Sequence, residues 1–197
     1  MPPETTTRVR EPVTTWYLEM RAPGALRRAR VPQPAPPILR AAQALPMFSR
    51  FLYTAVGGHW HWRDRLGWSY ARWMRWLDRP ELQTWVMYVD ATPAGYIELE
   101  KQAGDDVEIA YFGLMREFTG RGLGGHLLSV GIERAWELGA RRVWVHTCTL
   151  DGPHALANYE ARGLVRYHEE TKIVERPAAP DGPWPGWDDE DAGRGGG

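Results

Sequence analysis

The chain has 197 residues, a single cysteine at position 148 and a formal net charge of -1 at pH 7. This length predicts one domain with its own hydrophobic core, the near-neutral charge excludes a global field that would attract nucleic acid, and one cysteine excludes a disulfide within the chain. Because no apolar run reaches about twenty residues and no basic-then-apolar leader pattern occurs, we expect a soluble, cytoplasmic protein with no membrane partner.

The first part of the chain begins without periodicity and then becomes regular. Residues 1–12 are rich in proline, threonine and arginine, so we predict a flexible N-terminus. Residues 13–20 alternate β-forming side chains and predict a first strand. Apolar residues at helical spacing predict a helix over 46–56, which Gly57 and Gly58 end.

Tryptophan is enriched in the region that follows, because six of the eleven tryptophans lie between residues 60 and 85. A second helix is predicted before Pro80, with an apolar stripe of Leu66, Tyr70, Trp73 and Leu77. His59 and His61 precede it, but two histidines without a carboxylate or cysteine partner make a poor metal site, so we expect no metal. The rings of this region either line a pocket or belong to the core. The candidates for substrate contact are Trp60, Trp62 and Trp73.

An antiparallel meander is predicted next. Strands over 83–90 and 94–101 form a hairpin whose turn is residues 91–93, and a third strand follows over 107–114. This arrangement indicates a sheet built mainly from antiparallel neighbours.

A glycine-rich turn, Phe-Thr-Gly-Arg-Gly-Leu-Gly-Gly-His-Leu-Leu over residues 118–128, opens into an amphipathic helix over 122–139. Glycines permit positive φ and let successive main-chain N–H groups converge into a concave nest for an anion. The helix adds unpaired N–H groups and a positive dipole end at the same point. The turn therefore predicts a diphosphate site.

Other diphosphate motifs fit this turn less well. It lacks the Gly-Lys-Ser/Thr ending, which argues against a P-loop. Gly120, Gly122 and Gly125 satisfy the dinucleotide fingerprint G-x-G-x-x-G. However, the predicted strand over 142–148 ends without the acidic residue that would hold a ribose, and the preceding strands look antiparallel.

The remainder of the chain continues with a helix over 154–162 and a β-rich segment over 164–175. Residues 177–197 are rich in proline, glycine and acidic residues and predict a disordered tail, with Trp184 and Trp187 as loose anchors. The resulting organisation is a flexible N-terminus over 1–12, one domain over 13–176 and a tail over 177–197.

The segment 107–165 resembles the GNAT superfamily of acyl-CoA N-acyltransferases. That family's signature is Gln/Arg-x-x-Gly-x-Gly/Ala, followed further along by a Tyr-x-x-x-Gly-Phe ending, which Tyr159 begins here. The chain departs from the signature at three positions. Thr119 lies where Gln or Arg is usual, a change for which Arg121 would compensate; Gly152 lies where Asn is often found, and Leu164 where Phe is common.

The resemblance implies an α/β (α+β) domain with a central mixed, mainly antiparallel sheet, flanking helices and a splayed strand pair. It also implies an N-acetyltransferase that moves an acetyl group from acetyl-CoA to an amine in a ternary complex. The tryptophan-rich region favours a small molecule as the source of that amine. Two alternatives stay open: a protein N-terminal or lysine acetyltransferase, and a CoA-binding sensor module without turnover. The oligomeric state is open, with a homodimer among the options.

Cofactor contacts follow from the same resemblance. The diphosphate is expected to bind the N–H groups of the glycine turn. The pantetheine arm is expected to lie beside the end of the strand over 107–114. There an N–H at or next to Leu114 would bind the thioester oxygen. The expected cofactor-binding residues are Leu114, Met115, Arg116, Arg121, Gly122, Leu123, Gly124, Gly125, His126 and Asn158.

Proton transfer needs an acid and a base. Tyr159 is the candidate acid, because a phenol with an unperturbed pKa near 10 is protonated at neutral pH; packing under the sheet is its alternative role. Glu108 is the first choice for the base, by resemblance, and Glu98 and Glu100 are its rivals. His146, with an ordinary pKa near 6.5, is a further candidate.

Cys148 lies two residues beyond His146 on a predicted strand, so both side chains point to the same side of the sheet. In principle its thiol would carry an acetyl group in a two-step route. The simpler interpretation is a small buried apolar residue.

Overall fold

A seven-stranded sheet forms the centre of the protein in this computed structural model, which describes residues 7–184 and Trp187. The strands are β1 Arg8–Met20, β2 Ile38–Arg40, β3 Leu82–Val89, β4 Thr92–Lys101, β5 Asp106–Leu114, β6 Arg142–Cys148 and β7 Val165–Pro177. The helices are α1 Pro46–Gly57, α2 Tyr70–Leu77, α3 Leu123–Glu137 and α4 Ala155–Ala161. None of the helices in these ranges is long and apolar enough to cross a membrane.

The strand order is β2-β3-β4-β5-β6-β1-β7, and every neighbouring pair except β5 and β6 is antiparallel. The parallel pair β5 and β6 is hydrogen-bonded only from Asp106 opposite Arg142 to Glu108 opposite Trp144. Beyond Glu108 the two strands diverge. The predicted mixed, mainly antiparallel sheet with a splayed strand pair is therefore confirmed.

Apolar side chains cover both faces of the sheet, because successive residues of a strand point to opposite faces. On β4, Ile97 and Leu99 pack in a cluster with α3, whereas Tyr96 packs in a second cluster with α1. Gly131 lets α3 lie close to the sheet, since a Cβ there would be 2.2 Å from Cδ1 of Ile97. The close packing fixes α3, and with it the glycine turn at its start, against the sheet.

The chain ends are more regular than predicted. β1 begins at Arg8 and pairs with β7 from Arg8 opposite Pro177 onward, so the prediction of a flexible N-terminus is wrong for residues 8–12. The composition of this stretch did not predict a strand, because its stability comes from main-chain hydrogen bonds to a partner about 165 residues away. Residues 1–6 lie outside the described residues.

The beginning of the predicted tail is also in contact with the domain. The N–H of Ala178 donates to the carbonyl of Thr7 at 2.8 Å, and the N–H of Gly182 donates to the carbonyl of Gly58 at 2.9 Å. The rings of Trp187 and His59 lie 4.8 Å apart, edge to face. Residues 185–186 and 188–197, to which the prediction of disorder also applied, lie outside the described residues.

Two local boundaries differ from the predictions for chemical reasons. The β3–β4 turn is Asp90-Ala91, both with positive φ (49° and 61°), so it is a two-residue turn and Thr92 already belongs to β4. The second helix begins only at Tyr70, because the Ser69 hydroxyl caps it by accepting a hydrogen bond from the N–H of Arg72 at 3.3 Å.

Candidate active site

A cleft of about 1190 Å³ opens where β5 and β6 diverge. Its walls come from β5 and β6, the loop between α1 and α2, the start of α3, and the loop that joins β6 to α4. Where two neighbouring strands separate, their facing main-chain groups lose their partners and become available to a ligand. The cleft is therefore the candidate active site.

The glycine turn borders this cleft through Thr119, Gly120 and Gly124. Gly120 and Gly122 have φ of 72° and 73°, in the left-handed region that favours glycine, and a Cβ at either would meet no atom within 4 Å. Their backbone conformation, rather than crowding, requires glycine. No side chain of the described residues caps α3, so its first N–H groups and its positive dipole end fit an anionic group.

The first turn of α3 lies against α4 and the end of β5. A Cβ on Gly124 would lie 3.6 Å from Cδ1 of Leu114 and 3.8 Å from Nδ2 of Asn158, and one on Gly125 would lie 2.4 Å from Nη1 of Arg162. Three of the predicted cofactor residues, Leu114, Gly124 and Asn158, are thus brought together, and all three line the cleft.

The end of β5 directs the main-chain amide of Leu114 towards the cleft. The N–H of Met115 donates to the carbonyl of Ala94 at 2.9 Å, and the Met115 carbonyl accepts from the N–H of Phe118 at 3.0 Å. Both backbone groups of Met115 are therefore engaged within the protein, and Met115 is not among the residues that line the cleft, which argues against its predicted contact with a cofactor. Because neighbouring amides of a strand point in opposite directions, the N–H of Leu114 points away from β4, towards the cleft.

The other predicted cofactor residues differ in their surroundings. Arg116 lines the cleft, whereas Arg121 is exposed and its guanidinium lies 5.6 Å from the ring of Phe118. Leu123 packs in the core, so only its main chain is available to a ligand. His126 is half-buried, and burial lowers the pKa of its imidazole.

Tyr159, on α4, combines the two roles considered for it. Its ring packs edge to face on Phe112, 5.8 Å between centroids, and the residue is 5% exposed, yet it lines the cleft. Burial raises the pKa of the phenol far above its ordinary value, and the charge of Asp151 raises it further. The hydroxyl is therefore protonated at neutral pH and can donate a hydrogen bond, although the raised pKa makes it a weaker acid than an ordinary phenol.

His146 and Glu108, two alternatives for the base, lie side by side at the fork of β5 and β6. Nδ1 of His146 is 3.4 Å from Oε1 of Glu108, and both residues line the cleft. The hydrogen bond with Glu108 raises the pKa of His146; burial opposes this effect, and the charges of Glu108, Asp151 and Asp64 add to it. The side chain of His146 is 49% exposed, so its ring is accessible from the cleft.

The two rival glutamates on β4 already have cationic partners. Glu98 is 2% exposed and accepts hydrogen bonds from Arg65 at 2.7 Å and from Nε1 of Trp76 at 3.0 Å. Its prediction as a rival base is wrong, because it does not line the cleft and its charge is neutralised. Glu100 does line the cleft but accepts a hydrogen bond from Arg79 at 2.7 Å.

The three predicted tryptophans separate into two groups. Trp60 and Trp62 line the cleft, and a Cβ on Gly152 would lie 3.2 Å from the Trp60 ring, so the glycine at this unusual position makes room for that ring. Trp73 is 2% exposed and packs on Trp68, 5.1 Å between centroids. The prediction that Trp73 contacts a substrate is wrong, because Trp73 does not line the cleft and its ring is buried against neighbouring aromatic side chains.

Two carboxylates and a phenol in the cleft were missed by the sequence reasoning. Asp151 accepts hydrogen bonds from Oγ1 of Thr147 at 2.7 Å and from the N–H of Cys148 at 2.9 Å, and Asp64 accepts one from the Tyr111 hydroxyl at 3.2 Å. Within residues 7–184 and Trp187, neither carboxylate forms an ion pair with lysine or arginine. No local pattern predicted them, since both aspartates lie in loops.

Cys148 lines the same cleft, but its environment disfavours the thiolate. Burial raises the pKa of the thiol, and the negative charges of Asp151 and Asp64 raise it further. The thiolate is the nucleophilic form, so an acetyl-carrying role does not fit this environment. In the part of the chain that the structure describes, no group of three or more histidine, cysteine or acidic residues could hold a metal ion.

Comparison with known proteins gives both a family and a fold. The model of the acetyltransferase (GNAT) family matches residues 46–164, more than half of the chain. A search of curated proteins gave no match.

Similar solved structures carry the same fold at low identity. A GNAT-family protein from Novosphingobium aromaticivorans has a TM-score of 0.59 at 15% identity, with 91% of this chain and 71% of that one covered. A GCN5-related N-acetyltransferase from Kribbella flavida has a TM-score of 0.61 at 17% identity, with 87% and 61% covered. An aminoglycoside acetyltransferase from an uncultured soil sample has a TM-score of 0.55 at 15% identity, with 64% and 86% covered. The chain thus spans about three fifths of the Kribbella protein.

Proposed function

Because the chain belongs to the acetyltransferase (GNAT) family, we propose that it is an N-acetyltransferase that moves an acetyl group from acetyl-CoA to an amine of a small molecule, by direct transfer in a ternary complex. The observation that carries this proposal is the cleft between β5 and β6, which has a glycine turn and helix N-terminus on its border and a histidine–glutamate pair at its fork.

The residues that border the cleft fit coenzyme A. Gly120 and Gly122 leave the main-chain amides uncovered at the start of α3, where a diphosphate would bind. The pantetheine arm would lie along the unpaired edge of β5, with the N–H of Leu114 directed to the thioester oxygen. Bound acetyl-CoA supplies an acetyl group activated as a thioester, and a donor to its developing oxyanion contributes roughly 3 to 4 kcal/mol in enzymes where it has been removed.

His146 acts as the base, and Glu108 holds it. A carboxylate beside Nδ1 keeps the proton on that nitrogen and leaves the lone pair of Nε2 free for the amine. Once its imidazole is neutral, His146 accepts the proton that the attacking amine loses. A general base of this kind contributes about 10²–10⁴ in rate.

Tyr159 acts as the acid. Its phenol, kept protonated by burial, donates towards the departing sulfur. The Tyr159 ring packs on Phe112 of β5, the strand that also contains Leu114. All three residues line the cleft.

The acceptor is a small molecule that binds as a cation, and its reacting amine attacks the thioester in the neutral form. Asp64 and Asp151 have no basic partner in the described ranges, and the rings of Trp62 and Tyr111 lie edge to face beside them, 4.8 Å between centroids. Carboxylates and aromatic faces together attract ammonium groups. The same carboxylates favour a second candidate, acetylation of a protein N-terminus or lysine, which requires an acidic groove.

Release of free thiol from acetyl-CoA tests the proposal. We expect release with small diamines, weaker release with amino alcohols, which carry one ammonium group instead of two, and the least with amino acids, whose carboxylate is repelled by Asp64 and Asp151. Lysine peptides serve as the competing acceptor class, and faster release with peptides than with every small amine would support the second candidate. Binding of CoA without release for any acceptor would overturn the catalytic proposal in favour of a CoA-binding sensor module.

A further inference from the structure

A chain of side-chain contacts leads from β6 to the catalytic histidine. Nε1 of Trp144 donates to Oε1 of Gln102 at 3.1 Å, and Nε2 of Gln102 donates to Oε2 of Glu108 at 2.7 Å. The other oxygen of Glu108 is the one that faces His146, at 3.4 Å from Nδ1. Both oxygens of the carboxylate are therefore engaged, one by the base and one by Gln102.

The chemistry of the partners determines the direction of this chain. An indole N–H can only donate and an ionised carboxylate can only accept, whereas the Gln102 amide offers one group of each kind. Only one orientation of the amide satisfies both neighbours: its oxygen towards Trp144 and its nitrogen towards Glu108. Reversing the amide would place an acceptor against the carboxylate and a donor against the indole.

The chain also has a fixed position in the fold. Glu108 and Trp144 are the last pair of β5 and β6 before the strands diverge. Gln102 lies in the turn between β4 and β5, where its N–H donates to the carbonyl of Asp106 at 2.7 Å. The amide is thus anchored by its own main chain at one end and by the fork of the sheet at the other.

We propose that Gln102 is a positioning residue for acetyl transfer: anchored by Trp144, it holds the Glu108 carboxylate against Nδ1 of His146, so that Nε2 of His146 is presented to the acceptor amine. The inference rests on the proposed function of the cleft for its catalytic consequence. Its structural part concerns the state of His146 alone and can be measured without turnover.

The charged and titratable groups around His146 are Glu108 on β5, Asp151 after β6 and Asp64 before α2, all of which stabilise the imidazolium. Tyr17 of β1 faces the ring at 5.9 Å between centroids. Glu108 raises the pKa of His146 more than Asp151 or Asp64 does. A change that lets the Glu108 carboxylate move should therefore shift the titration of His146 more than a change at either aspartate.

Replacing Gln102 with methionine keeps the length of the side chain and removes both hydrogen bonds. We expect the pKa of His146, followed by NMR, to fall towards its ordinary value of about 6.5. We expect kcat to fall about tenfold, less than the 10²–10⁴ for loss of a base, with KM for acetyl-CoA unchanged. A Trp144→Phe variant removes the indole N–H at the far end of the chain and keeps an aromatic ring beside His146, whose ring centroid is 6.1 Å from that of Trp144. It should shift the titration in the same direction by less.

Gln83 provides a matched control, because its Oε1 accepts from Nε1 of Trp85 at 3.0 Å on β3, away from the cleft. Gln83→Met should leave both the titration and the rate as in the parent protein. An unchanged His146 titration in Gln102→Met, with the protein folded, overturns the inference whether or not the enzyme turns over. A shifted titration in a protein that transfers no acetyl group would keep the structural part and overturn the proposed function.

Discussion

His146 is the residue whose protonation state sets the activity that we propose. The hydrogen bond to Glu108 raises its pKa above the ordinary value of about 6.5. The neutral imidazole is the base, so kcat/KM should increase with pH as the imidazolium loses its proton, and the increase should lie above pH 6.5. Glu108→Gln removes the negative charge, so the pKa of His146 falls and the acidic limb of the pH profile moves to lower pH.

The profile of kcat/KM against pH measures this shift. We also expect the high-pH plateau of kcat/KM to be lower in Glu108→Gln, because the ionised carboxylate no longer orients the His146 ring. Glu175→Gln is a matched control, since Glu175 is an exposed carboxylate on β7 that pairs with Arg8. Glu175→Gln should leave the acidic limb of the profile at the same pH as in the parent protein. A limb that stays in place in Glu108→Gln would remove Glu108 from its role beside His146.

Tyr159 permits a second test of a single side chain. Tyr159→Phe removes the hydroxyl and retains the ring that packs on Phe112, so the fold should be preserved. We expect kcat to decrease by about 10²–10⁴, the range for a general acid, with CoA affinity unchanged. Single-turnover kinetics and calorimetry with CoA measure the two quantities. An unchanged rate would indicate that Tyr159 has only a packing role.

The start of α3 is the element on which cofactor binding depends. Its glycine turn is held in place by the packing of the helix on β4 and α4, so the amides at its N-terminus are fixed before a ligand arrives. Preorganised donors of this kind lose little entropy on binding. The contribution of this element is therefore affinity for CoA, whereas that of the β5–β6 fork is catalysis.

Gly124→Val tests this division. A Cβ at position 124 lies in ordinary contact with Leu114 and Asn158. The two further methyl groups of valine would take up additional space at the first turn of α3, beside its amides. We expect the CoA affinity measured by calorimetry to fall at least tenfold, which corresponds to about 1.4 kcal/mol. Gly124→Ala is the control, because it adds only the Cβ and gains helix propensity of about 1 kcal/mol. Full CoA affinity in the valine variant would argue against the anion nest.

The molecule as a whole brings together residues that are far apart in the chain. Nε1 of Trp62 lies 3.5 Å from Oδ1 of Asp151 in the cleft, although 89 positions separate the two residues in the sequence. The antiparallel strands supply rigid walls, and the parallel pair β5 and β6, which diverges after Glu108, supplies the opening. Asp64 and Asp151 come from loops on both sides of this opening, whereas Glu100 and Glu108 lie on strands.

Local patterns of the chain were sufficient for much of the fold. Period-two alternation placed β3 to β6 within one or two residues, helical periodicity placed α1 and α3, and the glycine spacing located the anion nest. These patterns report which face of an element is buried and where the backbone must turn, and both depend on neighbouring residues. They also supported the resemblance from which the splayed strand pair was predicted.

Long-range contacts decided the rest. Period-two alternation placed Glu98 on the same face of the sheet as Glu100. The tertiary structure adds that Arg65, from the loop before α2, forms an ion pair with Glu98 and neutralises its charge. Glu108 and His146 looked like alternatives in the sequence and form one pair in the structure, because β5 and β6 meet at that point. The environment of a side chain depends on which distant segments pack against it, and the order of residues along the chain does not contain that information in a local form.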